Sequence, residues 1–297
     1  MICTSHSAKR LGVLAAIVFA VPQLAAAQRP GQITNSIGMK FALIPAGKFV
    51  MGSPASQPER EAQEQQHEVV ITRPFHLGIY EVTQGEFVQV MGEDKKRPAF
   101  FDSNHGGGPD HPIEFVTWKD IHAFCESLSQ LPAEREAGRT YQLPTEAQWE
   151  YACRAGSTTA FCFGDTLSSN QANFNGSQSY FGAAPGRFLK STAKVGSYAP
   201  NAFGLYDIHG NVSEICADWY AKDYYADSPA EDPTGPPEGA SSDDFGNTYF
   251  VVRGGSWQDD ARACRSAYRY RAMRRNKYPQ SGFRVVCEVA QPAADGK

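Results

Sequence analysis

Leu143-Pro144-Thr145-Glu146-Ala147-Gln148-Trp149-Glu150-Tyr151-Ala152-Cys153 ends one extended segment and opens a helix. Pro144 closes the run from Tyr141, and the helix is expected over Thr145 to Arg154 with Glu146, Glu150 and Arg154 on its outer side. Two more helices precede it. Thr83 reads as an N-cap with Glu86 three residues on, a capping box for a helix reaching Met91. Thr117 caps the other, Trp118 to Leu131, with Ile121, Phe124, Cys125 and Leu128 on one face. Glu68 to Ile71 and Phe75 to Tyr80 read as strands, and Met39 to Gly52 alternates around Pro45-Ala46-Gly47 as a hairpin. Residues 54–66 are expected to be an exposed loop or one charged turn, and residues 95–112 a long polar loop. Beyond Gly156 the chain promises short strands and loops as far as Val289. With no repeat and no internal linker, one loop-rich α+β domain is the economical architecture.

The ends have a different character. Lys9 and Arg10, the apolar run Leu11 to Val21 and Ala25-Ala26-Ala27 have the order of a secretory signal. The apolar run falls short of the roughly 20 residues that span a bilayer. The expected organisation is therefore a signal peptide over 1–27, a linker over 28–35, the domain over 36–289 and a disordered tail over 290–297. The mature protein would begin near Gln28, lie outside the cytoplasm, be secreted or periplasmic, carry no membrane span and be a monomer. With 28 basic against 32 acidic residues the chain has no basic surplus for a nucleic-acid partner. An oxidising compartment permits disulfides among Cys125, Cys153, Cys162, Cys216, Cys264 and Cys287, without choosing a pairing.

Several runs, in order, resemble the formylglycine-generating enzyme, or sulfatase-modifying-factor, family. They are residues 44–53 (Ile-Pro-Ala-Gly-x-Phe-x-Met-Gly-Ser), Tyr80-Glu81-Val82-Thr83, Val116-Thr117-Trp118, the 143–152 stretch and residues 201–207 (Asn-Ala-Phe-Gly-Leu-Tyr-Asp). Gly210-Asn211-Val212-x-Glu214, Arg253-Gly254-Gly255-Ser256-Trp257 and Gly282-Phe283-Arg284-Val285 complete the set. The resemblance implies a compact, loop-rich α+β domain related to C-type-lectin folds, with calcium bound structurally. The residues matching the family's calcium ligands are Asp207 and Glu214 by side chain and Gly210 and Val212 by backbone. Oxygen donors about a tight turn suit Ca²⁺, although both acids also fit ordinary loop hydrogen bonding. Cys153 matches a half-cystine whose partner falls at Val285, with Cys287 two residues on and so on the same strand face. A Cys153–Cys287 bridge and two buried thiols both remain open.

The active enzymes place two cysteines soon after Arg-Gly-Gly-Ser to hold Cu(I), a metal suited to soft sulfur. In this chain Ala267 stands at the second position and Arg262 near the first, so copper is not expected as a cofactor. Cys264 is the catalytic candidate. Flanking Arg262 and Arg265 favour a thiolate. Alternation from Cys264 to Tyr270 instead suggests a strand with the thiol packed on an aromatic face. The nearby arginines are either a solvated face or a carboxylate or sulfate site. His209 is expected to point outward. A substrate groove would run along Ser256, Trp257, Tyr268 and Arg275, with Ser213 in place of an aromatic wall.

The first functional expectation is an exported tailoring oxidoreductase or accessory factor for a peptide or peptide-derived substrate, such as a siderophore precursor. Family members without the cysteine pair supply the precedent. A calcium-stabilised, C-type-lectin-like binding module is the second, and a formylglycine generator using Cys264 alone the third.

Overall fold

The structure, a computed structural model, describes Met1 and residues 31–92, 107–178, 180–238 and 246–290. The expected signal segment after Met1, most of the polar loop over 95–112 and the tail beyond 290 lie outside the described residues. One sheet has the order β1 (Ile33–Thr34), β2 (Lys40–Ile44), β5 (Phe75–Gly78), β11 (Val286–Val289), β6 (Arg139–Gln142), antiparallel throughout. The second has the order β10 (Ser281–Gly282), β7 (Ser213–Trp219), β8 (Tyr249–Arg253), β9 (Tyr270–Met273), with β10 parallel to β7. A ribbon of β3 (Gly47–Met51) and β4 (His67–Ile71) forms the third. The residues 40–51 are thus not a hairpin: β2 pairs with β5 and β3 with β4, and Pro45-Ala46 carries the chain from one sheet to another.

Among the described residues four α-helices accompany the sheets: α1 (Gln84–Met91), α2 (Trp118–Ser129), α3 (Pro132–Glu136) and α4 (Glu146–Arg154). Thr83, Thr117 and Thr145 each accept a bond from the N3 amide while that residue's side chain returns to the cap amide. These reciprocal bonds satisfy donors that a helix start leaves free. Strand β11 divides the apolar interior. Cys287 packs with Phe41, Phe124, Tyr141 and Phe283 on the α1–α2 side, and Val286 with Leu77, Ala147 and Tyr151 on the other. That alternation is the two-residue period of a strand.

Helix α4 has no outer side. It packs against β3 and β4 on one flank and β7 and β8 on the other. Glu146, Glu150 and Arg154 are 1%, 0% and 6% exposed, which overturns their expected outward placement. Arg253 of β8 reaches Glu146 at 2.8 Å and Glu150 at 2.5 Å, and Arg269 binds Glu146 through Nε at 2.6 Å and Nη2 at 2.8 Å. Burial pulls the Glu146 carboxyl up, but Arg269 and Arg253 outweigh it and leave it below its usual range. The expected exposed loop over 54–66 is likewise anchored, because Glu64 is fully buried against Arg265 at 2.7 Å.

The Cys153–Cys287 bridge does not form, and all six described cysteines are free thiols. Cys153 packs with Trp149, Ile208 and Cys216, while Cys287 sits in the separate α1–α2 core. Nor is 264–270 a strand. The segment winds through successive turns, Cys264 N to Ala261 O and Tyr268 N to Arg265 O, and β9 begins at Tyr270.

Candidate functional site

The turn from Asp207 to Glu214 lies between the two larger sheets. Asp207, Gly210 and Asn211 adopt left-handed backbone, with φ of 54°, 81° and 60°. A Cβ on Gly210 would lie 2.3 Å from Asn173 O, so the close approach requires glycine. Glu81, just after β5, clamps the turn: its carboxylate accepts from Asn211 Nδ2 at 2.7 Å and Val212 N at 3.0 Å. Sequence reasoning gave Glu81 no role, although it sits inside the quoted Tyr80-Glu81-Val82-Thr83 run.

The expected calcium ligands have unequal duties here. Asp207 Oδ2 accepts from Gly196 N at 2.6 Å, whereas its buried Oδ1 has no partner. Glu214 takes Arg284 Nε at 2.6 Å, Arg284 Nη2 at 2.7 Å and Trp149 Nε1 at 2.8 Å. Arg284 also donates to Gly78 O and Tyr206 O, tying β5, this turn and β7 together. Glu81, Asp207 and Glu214 are grouped about the single guanidinium of Arg284. Burial pushes Glu81 well above the usual carboxylate range, and pushes Asp207 up to about 6. Among the described residues no group of three or more His, Cys, Asp or Glu side chains could hold a metal. A cation at this turn would therefore lean on backbone oxygens, as the expected set does with Gly210 and Val212. The orphaned Asp207 Oδ1 fits such an ion, and Glu214 Oε1, with one described donor, retains a lone pair for it.

Beside this turn, a cavity of about 170 Å³ opens between β7, β8 and β9. Ser213, Asp259, Tyr268, Tyr270, Tyr278 and Ser281 are among its lining residues. Ser213 Oγ lies 2.8 Å from Ser281 Oγ, so the small wall expected from Ser213 is present and polar. Of the four expected groove residues, Tyr268 lines the cavity. Ser256 is fully buried and donates to Asp259 Oδ2 at 2.6 Å, supporting the lining from behind. Trp257 is outside the lining, half-buried, and donates Nε1 to Glu114 at 3.3 Å. Glu114 is pushed up to about 7 by burial, against the lowering effect of that bond. Arg275 is exposed and also outside the lining. Asp259, Tyr270, Tyr278 and Ser281 were missed. Asp259 could have been noticed three residues after Ser256, but Tyr278 and Ser281 come from a later loop and left no local signal.

Cys264 does not line the cavity. It stands behind Gly255, where an added Cβ would come within 2.7 Å of its Sγ. Burial pushes the thiol well above its usual range, with Asp259 and Asp260 adding to the effect. The flanking cations are already engaged, Arg262 with Glu61 and Arg265 with Glu64. Two thiolates converging on Cu(I) are therefore not provided by these residues. Arg265, Arg269 and Arg284 are buried in internal ion pairs, so they belong to the scaffold and not to a solvated face. His209 points inward: Nε2 accepts from Cys162 N at 3.1 Å, which leaves Nδ1–H to donate to Cys264 O at 2.7 Å.

Residues 28–289 match the family model described as a sulfatase-modifying factor enzyme 1-like domain. The chain is 31% identical over 324 residues to the formylglycine-generating enzyme of Streptomyces coelicolor, covering 90% of this chain and 95% of that protein. It is also 31% identical over 255 residues to the serine/threonine-protein kinase pkn1 of Chlamydia caviae. That match covers 78% of this chain and 35% of the kinase, about a third of its length. Among solved structures, PvdO from Pseudomonas aeruginosa superposes with a TM-score of 0.72 at 28% identity. The superposition covers 89% of this chain and 100% of that one.

Proposed function

The chain belongs to the family of sulfatase-modifying factor enzyme 1-like domains, and we propose that within it this protein handles a peptide or peptide-derived substrate without copper–thiolate chemistry. The observation that carries this reading is the cavity at Arg253-Gly254-Gly255, whose lining includes three phenols, two serine hydroxyls, Asp259 and Arg253 and, among the described residues, no cysteine. Fold alone is weak evidence of activity, so the chemistry must follow from that lining. The role is that of a tailoring oxidoreductase or accessory factor, exported under the segment ending at Ala27 and stabilised by calcium at Asp207, Gly210, Val212 and Glu214. A siderophore precursor is one such substrate. A second reading, a calcium-stabilised binding module without turnover, is favoured by the burial of Cys264 behind Gly255.

The test uses protein recovered from the extracytoplasmic fraction, whose N-terminus is expected at Gln28. It is incubated with a Cys-x-Pro-x-Arg peptide, copper, oxygen and a thiol reductant, and the peptide is followed by mass spectrometry. No aldehyde is expected. Loss of the peptide thiol with gain of an aldehyde, abolished by Cys264→Ser, would instead establish a one-cysteine generator. Parallel incubation with a peptide-metabolite extract separates the other two: a mass change supports tailoring, and retention without change supports binding.

A further inference from the structure

The cavity has a charge that the fold leaves unanswered. Asp259 lines it, is held by Ser256 through both hydroxyl and backbone, and forms no ion pair among the described residues. The cations around it are committed elsewhere. Arg253 also lines the cavity; its two Nη atoms go to Glu146, Glu150 and Ser266 O on the α4 side, and its Nε has no partner among the described residues. Arg262 and Arg265 lie 5.9 and 5.7 Å from the Tyr268 ring, but each is held by a glutamate and neither lines the cavity. Besides Arg253, which is already paired with two glutamates, the lining presents the Asp259 carboxyl group and the phenol rings of Tyr268, Tyr270 and Tyr278. Tyr270 is 54% exposed and marks the mouth, whereas Tyr278 is fixed by accepting from Met273 N at 3.1 Å.

Aromatic faces beside a carboxylate attract cations, through the ring quadrupole and through charge. Size narrows the ligand further. An apolar cavity of about 150 Å³ holds one benzene, so a cavity of about 170 Å³ admits a side-chain head group and not a peptide. A neutral aliphatic group would leave the carboxylate desolvated and unpaired, and an anionic one would face it directly. We propose that the cavity binds one cationic head group, an ammonium or guanidinium on the substrate's side chain, against Asp259 and the rings of Tyr268, Tyr270 and Tyr278. This rests on the reading of the cavity as the substrate site.

The test is calorimetric titration of the purified protein with capped Ala-X-Ala tripeptides in which X is Lys, Arg, norleucine or Glu. The Lys or Arg peptide is expected to bind at least tenfold more tightly than the norleucine and Glu peptides, and which of the two binds better identifies the cation. Asp259→Asn keeps an acceptor for Ser256, so the local turn should survive, as an unchanged melting curve would verify. It is expected to weaken the cationic peptide at least tenfold and leave the norleucine peptide unchanged. Tyr268→Leu should weaken the cationic peptide further. Equal binding of norleucine and Lys, tighter binding of Glu, or indifference to Asp259→Asn would overturn the charge assignment while leaving the cavity as a binding site. Failure of all four peptides would overturn the cavity reading itself, and this proposal with it.

Discussion

Glu150 shows how much of this molecule depends on single buried charges. Its Oε1 accepts from Gly52 N and Arg154 Nε, each at 2.9 Å, and its Oε2 receives Arg253 at 2.5 Å. Glu150→Gln would leave a guanidinium facing an amide in a buried site, a change that costs about 3–5 kcal/mol when one partner of a buried pair is removed. The exposed Lys194–Asp110 pair is the contrast, with side chains 65% and 64% exposed. Lys194→Met should cost less than about 1 kcal/mol. Urea denaturation of both variants checks the difference, and equal losses would contradict it. The identity of these residues was plain in the sequence, but their direction was not. A helix with acids at 146 and 150 reads as amphipathic until its partners Arg253 and Arg269 are known, and those lie more than a hundred residues away. Asp259 escaped for a related reason: its importance comes from forming no ion pair among the described residues, which no local pattern records.

At the scale of elements, local chemistry was the legible part. The threonine caps of α1 and α2 and the apolar face of α2 were readable because each depends on residues within a turn or two. The pairing of β2 and β3 was not, because Pro45-Ala46-Gly47 is a good turn whether the flanking strands meet each other or different sheets. Helix α4 gives an element-scale prediction. Besides its Thr145 cap, its start is held by Asp218 of β7, whose Oδ2 accepts from Glu146 N at 2.7 Å. Burial, and then the charge of Glu146, push the Asp218 carboxyl up to about 8. An unfolded aspartate titrates near about 3.9, so the folded state holds this proton more tightly. Its stabilising contribution is complete below that lower value and is lost as pH rises towards the upper one. Asp218→Asn retains an acceptor and cannot ionise. Melting measured from pH 5 to 9 should show the variant gaining on the wild type up to about pH 8 and then running parallel to it. A constant difference across the range would contradict the assignment.

The whole molecule is joined at the Asp207–Glu214 turn. Asn211 links Glu81 to Ala193 and Asn173, Gly210 N bonds Gly254 O, and Arg284 ties Glu214 to Gly78 and Tyr206. A cation bound there would bridge the larger sheets, and its binding energy would become folding energy for the entire domain. A ligand specific to the folded state at about a hundred times its Kd contributes about 2.7 kcal/mol. In a domain of this size each kcal/mol moves the melting temperature by about 2–4 °C. Chelation of calcium from the purified protein should therefore lower Tm by about 5–10 °C, and added Ca²⁺ should restore it. Asp207→Ala, which removes the orphaned Oδ1, should melt at the same temperature with and without EDTA. Val212 and Gly210 would contribute through carbonyls that substitution cannot delete, so Asp207 is the informative position. Glu214→Ala should also abolish the response, but at a further loss of stability in every buffer, because it strands Arg284 and Trp149 Nε1. If wild-type melting ignores EDTA and no calcium accompanies the protein through purification, the Asp207 turn is held by hydrogen bonds alone.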